Sequence, residues 1–369
     1  MIKILKGNIN KPDGTSAPTQ AREKKGWIGA LCVLMCIALL AGIACSFAGC
    51  AKSNSSSSFE FKKRTYDVST AASEGKYDYS VCDDGTVIIE KYNGTESVLT
   101  IPEKLGGKTV SEIGASAFSD NADLKNLTIG DNIEVIGDFA FFNCPGLEKI
   151  NIGKKLYSIG YEAFNGTPWN DGLKDEFVIV GDGLLIKYNG SAKSLRIPDS
   201  VKHIGPAFVE NSTIIEVIVG DNVLSIGNSA FLLCENLRRV SLGKNVTAID
   251  DYAFNTCPLL ADINIPDKVK YIGSFSFAYS SSLASVHIGK NVENIGTGAF
   301  GYSKNIAYVF IPRSVKTLGD SAFDYCYSIA FMFYEGTKEE YEALGVNGTN
   351  HYLNDAEHIY EYKDPRFGG

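Results

Sequence analysis

The chain reads as a mainly β protein, poor in helix, built as a right-handed solenoid of coils about 23 residues long. Two observations predict this. First, the phrase Ile-Gly-x-x-Ala-Phe recurs with small variations, placing phenylalanines at 118, 141, 164, 208, 231, 254, 277, 300 and 323. Their spacing is 23 residues throughout, except that Phe164 to Phe208 is 44. Second, each phrase is preceded by a short apolar alternation that ends in a turn. A register held over so many copies marks stacked repeats, each touching only its neighbours.

One copy shows the physical logic of the coil. Leu260, Ile263 and Ile265 alternate as in a short strand, with Ile263 and Ile265 pointing to one side. Pro266 and Asp267 turn the chain. Val269 and Ile272 then point inward, Gly273 lets the backbone bend, and Phe277 closes the coil against its neighbours. The same pattern predicts strands near 124–129, 147–152, 215–219, 237–242, 260–265, 283–288 and 306–311. Of the nine cysteines, Cys144, Cys234, Cys257 and Cys326 each stand three residues after a repeat phenylalanine. That position suits a small stacked core residue, so a disulfide scaffold is not expected. Cys82 has no obvious place.

These phrases carry a resemblance. Leu-x-x-Ile-x-Ile-Pro at 260–266, Val-x-x-Ile-Gly at 269–273 and Ala-Phe-x-x-Cys at 322–326 resemble the BspA-type leucine-rich repeats of bacterial and protist surface proteins. The resemblance covers about residues 77–362. It implies a leucine-rich-repeat solenoid, and it implies a role at the cell surface as an adhesin. Two hairpins are expected within that span. Lys91-Tyr92-Asn93-Gly94 is echoed by Lys187-Tyr188-Asn189-Gly190, and each follows an Asp-Gly turn signal, at 84–85 and 182–183. The first caps the N-terminal end of the array. The second is an insert at about 166–194 that accounts for the long interval and splits the array into three and six motifs. A C-terminal cap is expected at about 334–362. It holds a short helix at 338–344 capped by Thr337 and a last β-like run at 359–362.

The N-terminal part reads as a tether. Residues 26–51 contain no charge and follow Lys24 and Lys25, an arrangement that keeps an N-terminus in the cytoplasm. The run ends in Phe47-Ala48-Gly49-Cys50, which resembles the lipobox of bacterial lipoprotein signal peptides. That resemblance implies acylation of Cys50. The competing reading is an uncleaved single-pass anchor, because the run is long enough to span a bilayer. Residues 1–50 are therefore a signal or anchor segment, and residues 51–76 a Ser-rich flexible linker. Either reading puts the remainder on the extracytoplasmic face of the cell membrane.

Charge and motifs narrow the function. The formal net charge is −8, and six basic against two acidic residues give the first 49 a charge of +4, leaving −12 for the rest. Such a surface repels phosphate backbones, which excludes nucleic acid as a partner. The four histidines, His203, His287, His351 and His358, have neither metal-ligand nor catalytic spacing, and no nucleophile elbow or phosphate loop is present. No catalytic residue, metal or cofactor is expected. Asp250-Asp251 reads as a solvated turn and Asp83-Asp84 as the turn of the first hairpin.

The outward strand positions vary from coil to coil. One column reads Thr128, Asn151, Arg196, Ile218, Ser241, Asn264, His287, Phe310 and Phe333. The column two residues earlier reads Asn126, Lys149, Ser194, Glu216, Arg239, Asp262, Ser285, Tyr308 and Phe331. The face is mostly polar and turns aromatic at its C-terminal end. His287, Tyr308, Phe310, Phe331 and Phe333 are therefore the candidate contact patch for an unknown protein or glycan at the cell surface. The segment after Leu344 is the alternative occupant of that patch, as a cap. A structural envelope spacer without a specific ligand is the competing function, and an extracellular hydrolase the more distant one.

Overall fold

The structure, a computed structural model, describes residues 61–346 and 348–363. The expected signal or anchor segment, with Cys50, lies outside the described residues. Each coil contributes two strands to two parallel ladders. The first ladder contains the expected strands, among them Asn126–Ile129, Lys149–Ile152, Glu216–Ile218, Arg239–Ser241, Ser285–His287 and Tyr308–Ile311, each inside its predicted window. The second ladder was not anticipated. It is made of two-residue strands at the Val-x-x-Ile segment, such as Val135–Ile136, Ser225–Ile226 and Tyr271–Ile272. All of these pair in parallel with the equivalent residues of the adjoining coil.

The ladders enclose a continuous aromatic stack. Phe208, Phe231, Phe254, Phe277, Phe300 and Phe323 lie ring on ring at 4.8–5.2 Å, almost parallel, and are fully buried. The Phe231 N–H donates to Ala253 O of the next coil at 2.7 Å, and Phe277 N–H to Ala299 O at 2.7 Å. Position and hydrogen bond thus repeat together. Each repeat cysteine donates its thiol back to the phenylalanine carbonyl of the preceding coil, as Cys257 does to Phe231 O at 3.2 Å. Burial pushes the Cys257 thiol up to about 12, which keeps it protonated as that donor. The five described cysteines are free thiols. The repeat glycine has a steric cause: a Cβ on Gly273 would lie 2.3 Å from Asp250 C, and one on Gly296 2.5 Å from Ser274 N.

Both ladders break together between the third and fourth motifs, and the first also thins to the single bridge Asn264 to His287 between Asp262–Ile263 and Ser285–His287. Lys149–Ile152 and Ser158–Ile159 end the first block, and the hairpin Phe177–Val180 with Leu184–Tyr188 begins the second. The aromatic stack breaks with them. Trp169, in the inserted helix Pro168–Gly172, closes the first stack edge-on against Phe164 at 4.9 Å. Tyr188 opens the second stack on Phe208, as Tyr92 of the first hairpin opens the first stack on Phe118. The shared Lys-Tyr-Asn-Gly phrase therefore marks where a stack starts. At the C-terminus the helix Lys338–Ala343 carries the expected Thr337 cap, completed by Glu340. The final strand is Glu357–Ile359, slightly earlier than the expected run at 359–362.

The fold generates a stability prediction. Phe254→Ala, in mid-stack, removes contacts to two rings at once and should lower unfolding free energy by about 3–5 kcal/mol. A denaturant midpoint unchanged from wild type would contradict the stacking account.

Candidate functional site

The last strands of the first ladder bring the predicted patch together. Parallel pairing sets His287 opposite Phe310 and Phe310 opposite Phe333, with Tyr308 opposite Phe331 in the next column. His287 and Phe310 stack at 4.0 Å, Phe310 and Phe333 at 4.6 Å, and Tyr308 and Phe331 at 5.9 Å. Tyr308 is 45% exposed, and the other four are half-buried. The C-terminal segment covers part of the patch. Tyr362 lies 4.8 Å from Phe333 and 5.5 Å from Phe310, held by its N–H to Tyr334 O at 3.1 Å. Patch and cap are thus both present, and neither excludes the other.

A second aromatic column lies on the same coils. Two residues after each repeat phenylalanine the chain takes a left-handed conformation, with φ of 61°, 61° and 55° at Tyr279, Tyr302 and Tyr325. These tyrosines stack at 4.6 and 4.5 Å, and Tyr279 and Tyr325 are exposed. Tyr327, 56% exposed, and Tyr352 extend the cluster edge-on at 5.0 Å. Sequence reasoning missed this column because it followed only the strand face. The signal was available: the same position reads Asp120, Asn143, Gly166, Glu210, Leu233 and Thr256 earlier in the array.

Sequence reasoning also missed a charged cluster. Asp250-Asp251 is no solvated turn: Asp250 is buried and lies 3.5 Å from Lys63, which also pairs with Asp251. Next in sequence, Arg64 has a buried side chain that donates to Asp84 at 2.8 Å, Glu112 at 2.9 Å and Glu134. Phe61 stacks on Tyr271 at 5.4 Å and meets Tyr157 edge-on at 6.4 Å. Residues 61–64, expected to be part of a flexible linker, therefore touch coils of both blocks. The physical reason is charge: the carboxylates that these coils bring together carry a cost that two adjacent cations offset. Asp138 stands nearby and accepts from Tyr161 N–H at 2.7 Å. Burial, opposed by that hydrogen bond and reinforced by Asp251 and Asp250, raises its carboxyl to about 6.

Parallel coils, a buried ring stack and solvent-facing aromatic columns define a solenoidal repeat scaffold. The family model described as BspA type leucine rich repeat region, in six copies, matches residues 99–212 and 202–330. The chain belongs to that family. Similar solved structures include a leucine-rich repeat protein from Bacteroides ovatus ATCC 8483, with 19% identity, 82% of this chain and 99% of that chain covered and a TM-score of 0.41. The pneumococcal vaccine antigen PcpA shows 17% identity, coverage of 83% and 98% and a TM-score of 0.44. A leucine rich cell surface protein from Faecalibacterium prausnitzii A2-165 shows 22% identity, coverage of 80% and 96% and a TM-score of 0.30. No curated protein matches the chain.

The charged cluster predicts a pH effect of definite sign. Because Asp138 is raised in the folded state, it binds its proton more tightly there than in the unfolded chain. Its contribution then weakens the fold as pH climbs from about 4 through 6. Asp138→Asn keeps an oxygen for the Tyr161 N–H and should stabilise the protein above pH 6 by about 1–3 kcal/mol, with little gain near pH 4. Denaturant titrations at the two pH values check this, and a variant less stable than wild type at pH 7 would contradict it.

Proposed function

We propose that the chain is a membrane-tethered, extracytoplasmic binding surface that engages partner proteins through the aromatic columns of its C-terminal coils. One observation carries the reading: two separate aromatic columns occupy the same end of an array whose outward positions are otherwise mostly polar. Aromatic side chains deliver much of the energy of protein contacts. The stacking also bears on the type of partner. Phe310 is sandwiched between His287 and Phe333, so its flat faces are occupied and only the part of its edge that Tyr362 leaves open remains for contact. Ring edges carry positive partial charge and favour carbonyl, carboxylate or aromatic-face partners. A sugar ring that needs a free aromatic face fits this column less well than a protein surface does.

The experiment is binding of the full-length protein to arrayed extracellular matrix proteins and glycans. Phe310→Ser with Phe333→Ser, and separately Tyr302→Ser with Tyr325→Ser, should weaken protein binding tenfold or more while the fold persists. Folded variants that bind as well as wild type would remove the aromatic columns from the function. Binding to no component of the array at saturating concentration would favour a structural spacer.

The tether is the second part of the proposal, supported by the charge-free run and the residues ending in Cys50. Intact mass of the membrane-extracted protein should show a chain beginning at an acylated Cys50. An unprocessed chain retaining Met1 would point instead to an uncleaved anchor.

A further inference from the structure

The break between the two blocks leaves a cleft of about 360 Å³, bounded by the turn at 159–165 on one side and residues 186–188 and 206–210 on the other. Its origin is local. Ile204-Gly205-Pro206-Ala207-Phe208 has one residue fewer between glycine and phenylalanine than Ile159-Gly160-Tyr161-Glu162-Ala163-Phe164. The carbonyl that would continue the ladder, Ala207 O, accepts instead from Tyr188 N–H of the inserted hairpin at 3.1 Å. One coil back, the N–H groups of Phe139 and Phe141 donate to Tyr161 O at 2.9 Å and Ala163 O at 2.8 Å. The equivalent donors, the N–H groups of Glu162 and Phe164, have no acceptor among the described residues. They stand two residues apart, the spacing at which an extended chain presents carbonyls on one side.

The side chains add a charge requirement. Glu162 and Glu210 line the cleft from opposite blocks, together with Phe164 and Tyr188. Burial, then Glu162 and Glu235, raises the Glu210 carboxyl, as unneutralised acids facing each other should. Lys187 is the one cation among the described residues lining the cleft, and its Nζ is directed to Asn170 O at 3.0 Å. A neutral polyol would leave both carboxylates uncompensated, and an anion would be repelled.

We propose that this cleft binds an extended peptide segment carrying a basic side chain. Two of its carbonyls accept the N–H groups of Glu162 and Phe164, in the manner of a strand added to an exposed edge. Its ammonium or guanidinium lies between Glu162 and Glu210. The site is independent of the aromatic columns, and it would give the scaffold a second, charge-selective contact.

The test uses the full-length protein and two fluorescein-labelled probes, Ser-Gly-Arg-Gly-Ser and Ser-Gly-Glu-Gly-Ser, read by anisotropy at low salt. The arginine probe should bind saturably and the glutamate probe should not. Glu162→Gln with Glu210→Gln should weaken the arginine probe about tenfold or more, because its cation loses both partners. Glu216→Gln with Asp262→Asn, on the exposed strand face, should leave it unchanged. The four substitutions are near-isosteric, and a thermal melt verifies that each variant is folded. Amide hydrogen exchange at Glu162 and Phe164 should slow when the arginine probe is bound. Equal affinity for the two double variants, or no preference for arginine over glutamate, would overturn the proposal. Unlabelled argininamide competing as strongly as the unlabelled pentapeptide would overturn its backbone half. Loss of the probe in Phe310→Ser/Phe333→Ser would assign the peptide to the aromatic patch instead.

Discussion

A coil of this protein can bury its phenylalanine and satisfy its turn N–H groups only against the next coil. From that dependence come the 23-residue register, the glycine where coils approach too closely for a Cβ, and the thiols that donate to the preceding carbonyl. It also dictates that every end of the stack be closed by something that imitates a coil. Tyr77 packs on Tyr92 at the first end, at 5.3 Å, and Trp169 closes the first block. At the far end Asn350 supplies what the next coil would have supplied. Its Oδ1 accepts from Phe323 N–H at 3.1 Å and its amide donates to Gly319 O at 3.1 Å, while Leu353 is fully buried nearby. Only the break after Phe164 is imperfectly closed, and the cleft lies there.

Where stacking brings like charges together, the chain offsets them with a segment from outside the repeats. Lys63 and Arg64 meet five carboxylates between them: Asp84, Glu112 and Glu134 for Arg64, and Asp250 and Asp251 for Lys63. Partly buried pairs of this kind are strongly destabilising to break, because the remaining partner keeps its desolvation cost. The contacts hold the two blocks to one short stretch, which bridges an array whose backbone ladders do not run through. In this way the acidic character of the chain is distributed: some of it is solvated surface, and some is structural, locked to the stretch just before the first hairpin.

Much of this was legible in the sequence, for a physical reason. Phe254, Gly273 and Cys257 recur because stacking imposes the same environment on every coil, so repetition itself reports burial. Thr337 was readable as a cap because capping depends on residues close in sequence, with Glu340 completing the box. The short second strands were not readable, since two residues such as Ser225 and Ile226 are too few to show an alternation. The Lys63–Asp251 contact spans 188 residues and joins a non-repeating segment to a turn, and no spacing rule reports that. Asp250 was misread for the same reason: without its partner, an acid in the glycine position resembles a solvated turn. The strand-face patch from His287 to Phe333 was visible as a change in column chemistry, and the tyrosine column was equally visible one turn away. What sequence could not supply was Tyr362 lying across Phe310 and Phe333, a contact made by the C-terminal segment.

The central claim is that stability resides in coil-to-coil contact and is interrupted once, between Phe164 and Tyr188. Native-state hydrogen exchange as a function of denaturant tests it most directly, because it reads each ladder amide separately. The account predicts that the N–H groups of Phe231, Phe254 and Phe277 open together with one dependence on denaturant, and those of Phe118 and Phe141 with another, while Glu162 and Phe164 exchange rapidly. Uniform protection through residues 159–210, with all of these amides opening in a single event, would contradict it.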